Sequence, residues 1–154
     1  MNPCPCGWLG SAQRACRCTP DQVSRYQARL SGPLLDRIDL HVDVAALPAQ
    51  ELLDAPSGEQ SAGVRARCMA ARTRAVARQG KTNHALLPGE IELHVPLDPA
   101  SSAFVQRAAT RLGWSARATH RVIKVARTIA DMAGSSDVAI AHLAEAAQYR
   151  RTAA

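Results

Sequence analysis

Apolar and polar positions alternate along this chain with two different periods. Val23, Tyr26 and Leu30 recur at helical spacing behind Thr19-Pro20, an N-cap followed by proline at the first helical position. That pattern predicts a helix from Pro20 to about Leu30, broken at Ser31-Gly32-Pro33. After a short Leu34-Leu35-Asp36-Arg37 turn, Ile38, Leu40, Val42 and Val44 alternate with Asp39, His41 and Asp43. A period of two predicts a strand buried on one face. Residues 45–58 are a connector rich in Pro, Ala, Gly and Ser.

From about residue 59 the period is helical throughout. Val64, Cys68, Ala71 and Ala75 form one stripe, with Cys68 expected as a small core residue, while Arg67, Arg74, Arg78 and Lys81 form another. Gly80 supplies the stop, and a loop is expected through Asn83, Pro88 and Gly89. Asp98-Pro99 opens a second helix ending at Gly113, Ser115 caps a third ending near Gly134, and Asp137 caps a fourth running to about Arg150. On the third, Val122, Ile123, Val125, Ala126, Ile129 and Met132 are expected core. Lys124 and Thr128 are expected in solvent, and Arg127 with Asp131 at i, i+4 reads as a surface pair. Four helices with short connections make a small bundle.

Composition changes this picture little. The 47% hydrophobic fraction is heavy in alanine and only 3% of residues are aromatic, which suits closely packed helices better than a sandwich of sheets. A net charge of +6 is compatible with a polyanionic partner but equally with a solvated surface. No apolar run approaches a membrane span and no signal pattern opens the chain, so a cytoplasmic location is expected.

The cysteines change it more. Four of the five lie in the first 18 residues, as Cys4-x-Cys6 and Cys16-x-Cys18. Two close thiol pairs across a short loop could converge on one tetrahedral zinc, a structural site because four thiolates leave no open position. The usual gap within a pair is two to four residues, so one residue is a weaker signal. The alternative is a reduced, exposed loop that binds nothing.

Several separate stretches carry a resemblance. They are Asn2-Pro3-Cys4-Pro5-Cys6-Gly7, Ser31-Gly32-Pro33-Leu34-Leu35-Asp36-Arg37-Ile38-Asp39-Leu40, Ser115-Ala116-Arg117, Val125-Ala126-Arg127-Thr128-Ile129-Ala130-Asp131 and His142-Leu143-Ala144-Glu145-Ala146-Ala147-Gln148-Tyr149-Arg150-Arg151. In order and wording they resemble the C-terminal portion of the magnesium-chelatase-like AAA+ ATPases of the ComM (YifB) family. The resemblance implies a mixed fold: an α/β remnant of a nucleotide-binding core over residues 1–48, a linker over 49–58, and a helical lid bundle over 59–154.

It also implies roles. Asn2 matches sensor 1, which orients the attacking water, and Arg37 matches the arginine finger that reaches a neighbouring subunit's nucleotide. Arg117 matches the sensor 2 arginine of the lid, with Arg121 one turn later as the alternative. Guanidinium groups suit this chemistry because phosphoryl transfer spreads charge over three oxygens, which fixed forks of donors stabilise. The family implies ATP with Mg²⁺, a homo-oligomeric (hexameric) ring, and DNA as the substrate of a helicase driving branch migration. The departures are equally plain. There is no G-x-x-x-x-G-K-[ST] loop and no apolar run ending in paired acids, so ATP hydrolysis by this chain alone is not expected. Both motifs are expected upstream, with Met1 an internal methionine. Two other functions stay open: the motor subunit of a porphyrin magnesium chelatase, and a zinc-stabilised nucleic-acid-binding module. The module would use the Arg67/Arg74/Arg78/Lys81 stripe together with Arg14, Arg17, Arg25 and Arg29.

Overall fold

The computed structural model describes residues 1–44, 47 and 58–150, and the described residues are helical with no strand among them. They divide into two compact units, one of residues 1–38 and 43–54, the other of residues 39–42 and 55–154.

The first unit is a cysteine-bearing loop followed by two short helices, α1 (Pro20–Gln27) and α2 (Gly32–Leu35). Helix α1 starts where the sequence says it should. The Gln22 backbone N–H donates to Thr19 Oγ1 at 3.3 Å and the Thr19 N–H to Gln22 Oε1 at 3.0 Å, a reciprocal capping box. It ends three residues short of Leu30, which is reached through single turns. Ser31 caps α2 by accepting the Leu34 N–H at 3.3 Å. Neither helix buries a residue completely.

The strand expected over residues 38–44 is absent. Ile38, Leu40, Val42 and Val44 are 36%, 50%, 66% and 89% exposed, so the apolar face expected to be buried is not. The physical reason lies in the ladder. An extended segment becomes a strand only when neighbouring backbone satisfies its N–H and C=O groups, and no described residue forms a strand beside it. Within the helical unit its His41 N–H donates to the Tyr149 carbonyl at 2.8 Å.

The second unit contains α3 (Ser61–Gln79), a single 3₁₀ turn (Asn83–Ala85), α4 (Pro88–His94), α5 (Pro99–Leu112), α6 (Ala116–Ala133) and α7 (Ile140–Gln148). Helix α6 is its axis, packing against α3, α4, α7 and the 3₁₀ turn. Ala126 and Ala130 on α6 are completely buried, and side chains this small let helices approach closely. Val122, Ile123, Leu143 of α7, Ile91 of α4 and Val105 of α5 fill the core around them. Gly80, Gly113 and Gly134 end α3, α5 and α6 in the left-handed conformation, which glycine adopts without strain.

Four local expectations need correction. Helix α4 occupies part of the expected loop, started by Glu90 Oε2 accepting the Leu87 N–H at 2.7 Å. Helix α7 is capped at Ala139, not Asp137. The His142 Nδ1 accepts the Ala139 N–H at 3.1 Å, while Asp137 takes hydrogen bonds from Ser135 and Ser136 and leaves Val138 free to enter the core. Cys68 is exposed, because only the C-terminal half of the α3 stripe, Ala71 and Ala75, is buried. Met132 is 47% exposed rather than core.

Candidate functional site

The cysteine loop is built by two tight turns. The Gly7 N–H donates to the Cys4 carbonyl at 3.0 Å and the Ser11 N–H to the Trp8 carbonyl at 3.1 Å, with Gly7 and Gly10 at φ values of 81° and 78° that other residues rarely adopt. These turns gather four side chains. Cys4, Cys6, Cys16 and Cys18 place their sulfurs all within 4.8 Å of one another, a set that could hold a metal ion. Sγ–Sγ separations are 3.4 Å for Cys4–Cys6, 3.7 Å for Cys4–Cys16 and 3.6 Å for Cys6–Cys16. No pair is a disulfide.

Backbone donors favour ionised sulfur here. N–H groups of Trp8 and then Arg17 lower the Cys6 thiol to about 6. At Cys18 the Cys6 backbone donor works the same way, but burial and the three neighbouring thiols outweigh it and push the group up to about 12. Four sulfurs this close cannot all carry charge without a cation among them.

The loop is tied to α1, since Gln27 Nε2 donates to the Pro3 carbonyl at 3.2 Å. Asn2 is exposed at the loop's start, its amide nitrogen 3.5 Å from where a side chain on Gly7 would begin. Arg37 follows α2 and is exposed, as are Ser31, Gly32 and Pro33 before it. Asn2, Arg37 and the four cysteines therefore belong to the first unit, and Arg117 and Arg121 to the second.

Arg117 projects from the first turn of α6 and is exposed. Among the described residues it makes no side-chain hydrogen bond or ion pair. A cation there opposes the helix dipole, so its placement does nothing for the helix. Arg121, one turn on, forms an ion pair with Asp39.

The residues missed in sequence lie deeper. Arg127 and Asp131 are 2% and 1% exposed, a buried pair at 2.9 Å where a surface pair was expected. Asp131 also accepts from Arg78 Nη1 at 2.7 Å and Nη2 at 3.0 Å, and from Asn83 Nδ2 at 2.8 Å. Arg127 donates to the Ser135 and Ser136 carbonyls at 2.6 and 2.7 Å, satisfying the chain where it leaves α6. Burial alone would raise the Asp131 carboxyl, but the hydrogen bonds from Arg78 and Asn83 and the charges of Arg127 and Arg78 hold it below the ordinary range. A signal was available. Ile123, Arg127 and Asp131 form an i, i+4, i+8 row directly beside the apolar row Val122, Ala126, Ala130.

The basic stripe of α3 is also spoken for. Arg67 pairs with Glu59, Arg74 donates to the Asp131 carbonyl at 2.7 Å, Arg78 is in the buried network, and Lys81 reaches Glu90 at 2.6 Å. Lys124, expected in solvent, donates to the Leu86 and His84 carbonyls, and Thr128 accepts from Asn83 Nδ2 at 3.1 Å. A polyanion would have to displace these internal partners.

Comparison with known proteins fits this division. The family described as magnesium chelatase, subunit ChlI C-terminal, matches residues 58–150, and that described as magnesium chelatase, subunit ChlI, matches residues 1–52. The chain belongs to the magnesium chelatase family. Competence protein ComM of Haemophilus influenzae and YifB of Escherichia coli are each 43% identical to it over 97% of its length, and YifB of Salmonella typhimurium is 41% identical. The chain corresponds to their C-terminal portion and spans 29% of the length of each. Among the described residues no helix is long and apolar enough to cross a membrane.

Proposed function

We propose that this chain supplies the finger and lid of a ring-forming, cytoplasmic AAA+ ATPase of the ComM type, one that uses ATP and Mg²⁺ to move branched DNA during recombination. In this reading residues 1–48 complete a nucleotide-binding core and residues 59–154 form the lid. Asn2 orients the attacking water, Arg37 reaches the nucleotide of the adjacent subunit, and Arg117 meets the phosphates from the lid. These 154 residues hold no phosphate-binding loop, so ATP would be cradled by other residues and hydrolysis by this chain alone is not expected.

The observation that supports the reading most is that both motif arginines lie outside the packed core. Arg74, Arg78 and Arg127 are locked into the helical unit, whereas Arg37 and Arg117 are exposed at the motif positions shared with ComM-like proteins. Arg117, exposed and without a side-chain partner among the described residues, can present its guanidinium to a phosphate.

The test uses the ring with its phosphate-binding portion present. Arg37→Ala should lower ATPase turnover on the order of a thousandfold. Mixing it with a variant lacking the phosphate-loop lysine should restore part of the activity, because each supplies what the other lacks. Turnover of Arg37→Ala within a few-fold of the parent would sink the assignment.

The family's description favours a second reading, the motor subunit of a porphyrin magnesium chelatase. The cysteine loop and the ComM and YifB relatives argue for the first. DNA-stimulated ATPase activity separates the two.

A further inference from the structure

We propose that Cys4, Cys6, Cys16 and Cys18 bind one zinc ion through four thiolates, and that this ion is the cross-link that fixes the loop of residues 2–18 onto the start of α1. The geometry points to it first. A tetrahedral zinc with Zn–S bonds of about 2.3 Å requires sulfurs about 3.8 Å apart. The three separations among Cys4, Cys6 and Cys16 are 3.4, 3.7 and 3.6 Å, just inside that edge length, and the Cys18 sulfur lies within 4.8 Å of each, so shifts of about an ångström or less would accept the ion.

The donor set points the same way. All four candidate ligands are cysteines, and soft sulfur donors select zinc or iron over magnesium or calcium. Backbone N–H groups already face the sulfurs, as at Cys18, whose N–H lies 3.4 Å from Cys16 Sγ. Such donors orient metal thiolates and offset their charge. Trp8 lies between the ligand pairs with Arg14 stacked 5.5 Å from its ring centre, and Arg17 stands between two ligands in sequence. Both arginines bring positive charge to a site that would carry a net charge of about −2 with four thiolates on one Zn²⁺.

The energetics supply the reason. Among described residues 1–44 only Cys4 is fully buried, so this segment has almost no apolar core to hold its loop closed. Segments with so little buried surface depend on cross-links or metals. Cys18 immediately precedes Thr19, the N-cap of α1, and Gln27 on α1 holds the Pro3 carbonyl beside Cys4. An ion bound to both thiol pairs therefore fixes the loop and the helix cap together. With all four positions filled by sulfur, the site is structural.

The claim does not depend on any nucleotide chemistry and can fail separately from it. The chain as purified, or after addition of equimolar zinc and removal of excess, should contain one zinc per chain by plasma mass spectrometry. Cobalt exchanged into the site should show thiolate-to-metal charge transfer and the d–d bands of a tetrahedral centre. Thiol counting guards against variants that fail to fold. Of the five cysteines, only the exposed Cys68 should react quickly in the native chain, and all five after a strong chelator is added. Cys68→Ser should keep its zinc, and Cys6→Ser with Cys16→Ser should lose it. Five reactive thiols before chelation, iron in place of zinc, or zinc retained by the double variant would overturn the proposal.

Discussion

The two units of this chain solve the same problem by opposite means. The helical unit buries an apolar cluster around α6 and threads a charged network through it, with Asp131 meeting Arg78, Arg127 and Asn83. Among its described residues the cysteine-bearing unit buries almost nothing and gathers four sulfurs instead. The difference teaches where charge is structural and where it is free for other work. In the helical unit Arg74, Arg78 and Arg127 are held by internal hydrogen bonds, so a count of basic residues overstates what is open to a partner. Arg117, at the start of α6, is exposed and makes no side-chain hydrogen bond or ion pair among the described residues.

The most damaging test of this contrast is Asp131→Asn. An amide would turn one of the two acceptor oxygens into a donor facing Arg78, Arg127 and Asn83 and leave the Arg127 charge buried without a counterion. Removing one partner of a buried pair costs about 3–5 kcal/mol. Denaturant melts followed by helical circular dichroism should show a loss of that size in the helical unit. Zinc content should be unchanged, since Asp131 and the cysteines lie in different units. A loss under 1 kcal/mol would mean that the network contributes little and the apolar cluster is sufficient.

The pH dependence sharpens the same comparison. Asp131 is held below the ordinary carboxylate range, its hydrogen bonds from Arg78 and Asn83 outweighing burial. Glu90 is lowered by the Leu87 N–H and then Lys81, and Asp98 by the Ser101 N–H it caps. Carboxyls lowered in the folded state stabilise it fully above their unfolded values, about pH 4, and that contribution disappears as pH falls through the folded values. The helical unit should therefore hold constant stability from neutral pH down to about 5 and lose it progressively below about 4. Asp131→Asn should flatten part of that acid limb. An unchanged limb in the variant would show that Glu90, Asp98 and other carboxyls carry it.

These contrasts also mark what could be read in the sequence. Capping chemistry was legible because it is local: Thr19-Pro20, Asp98-Pro99 and Ser115 open helices, and Gly80, Gly113 and Gly134 close them. The convergence of the four cysteines was legible from their paired spacing. What escaped depends on neighbours distant in sequence. Whether 38–44 pairs as a strand is decided by other backbone, and Arg127–Asp131 is buried only because Arg78 and Asn83 come from α3 and the 3₁₀ turn to meet it. Cys68 shares a helical stripe with Ala71 and Ala75, but the stripe does not say where the packing against it stops.

The smallest expected effect compares equivalent substitutions in the two units. Ser115 accepts the Ala118 N–H at 3.1 Å to start α6, and Thr19 accepts the Gln22 N–H at 3.3 Å to start α1. Either hydroxyl replaced by alanine removes about 1 kcal/mol of capping. Helix α6 is anchored along its length by Val122, Ala126 and Ala130, so Ser115→Ala should lower the global stability of the helical unit by that amount while its first turn stays helical. Helix α1 has only eight residues and buries none of them. Without a packed face a helix this short is not stable alone, so Thr19→Ala should fray α1 locally and leave the melt of the helical unit unmoved. Amide hydrogen exchange reads the difference: fast exchange at Gln22 and Val23 in Thr19→Ala, and retained protection beyond the first turn of α6 in Ser115→Ala. Equal fraying in both would show that burial of α6 does not hold its N-terminus. Protection kept at Gln22 would show that the cysteine loop alone fixes the start of α1.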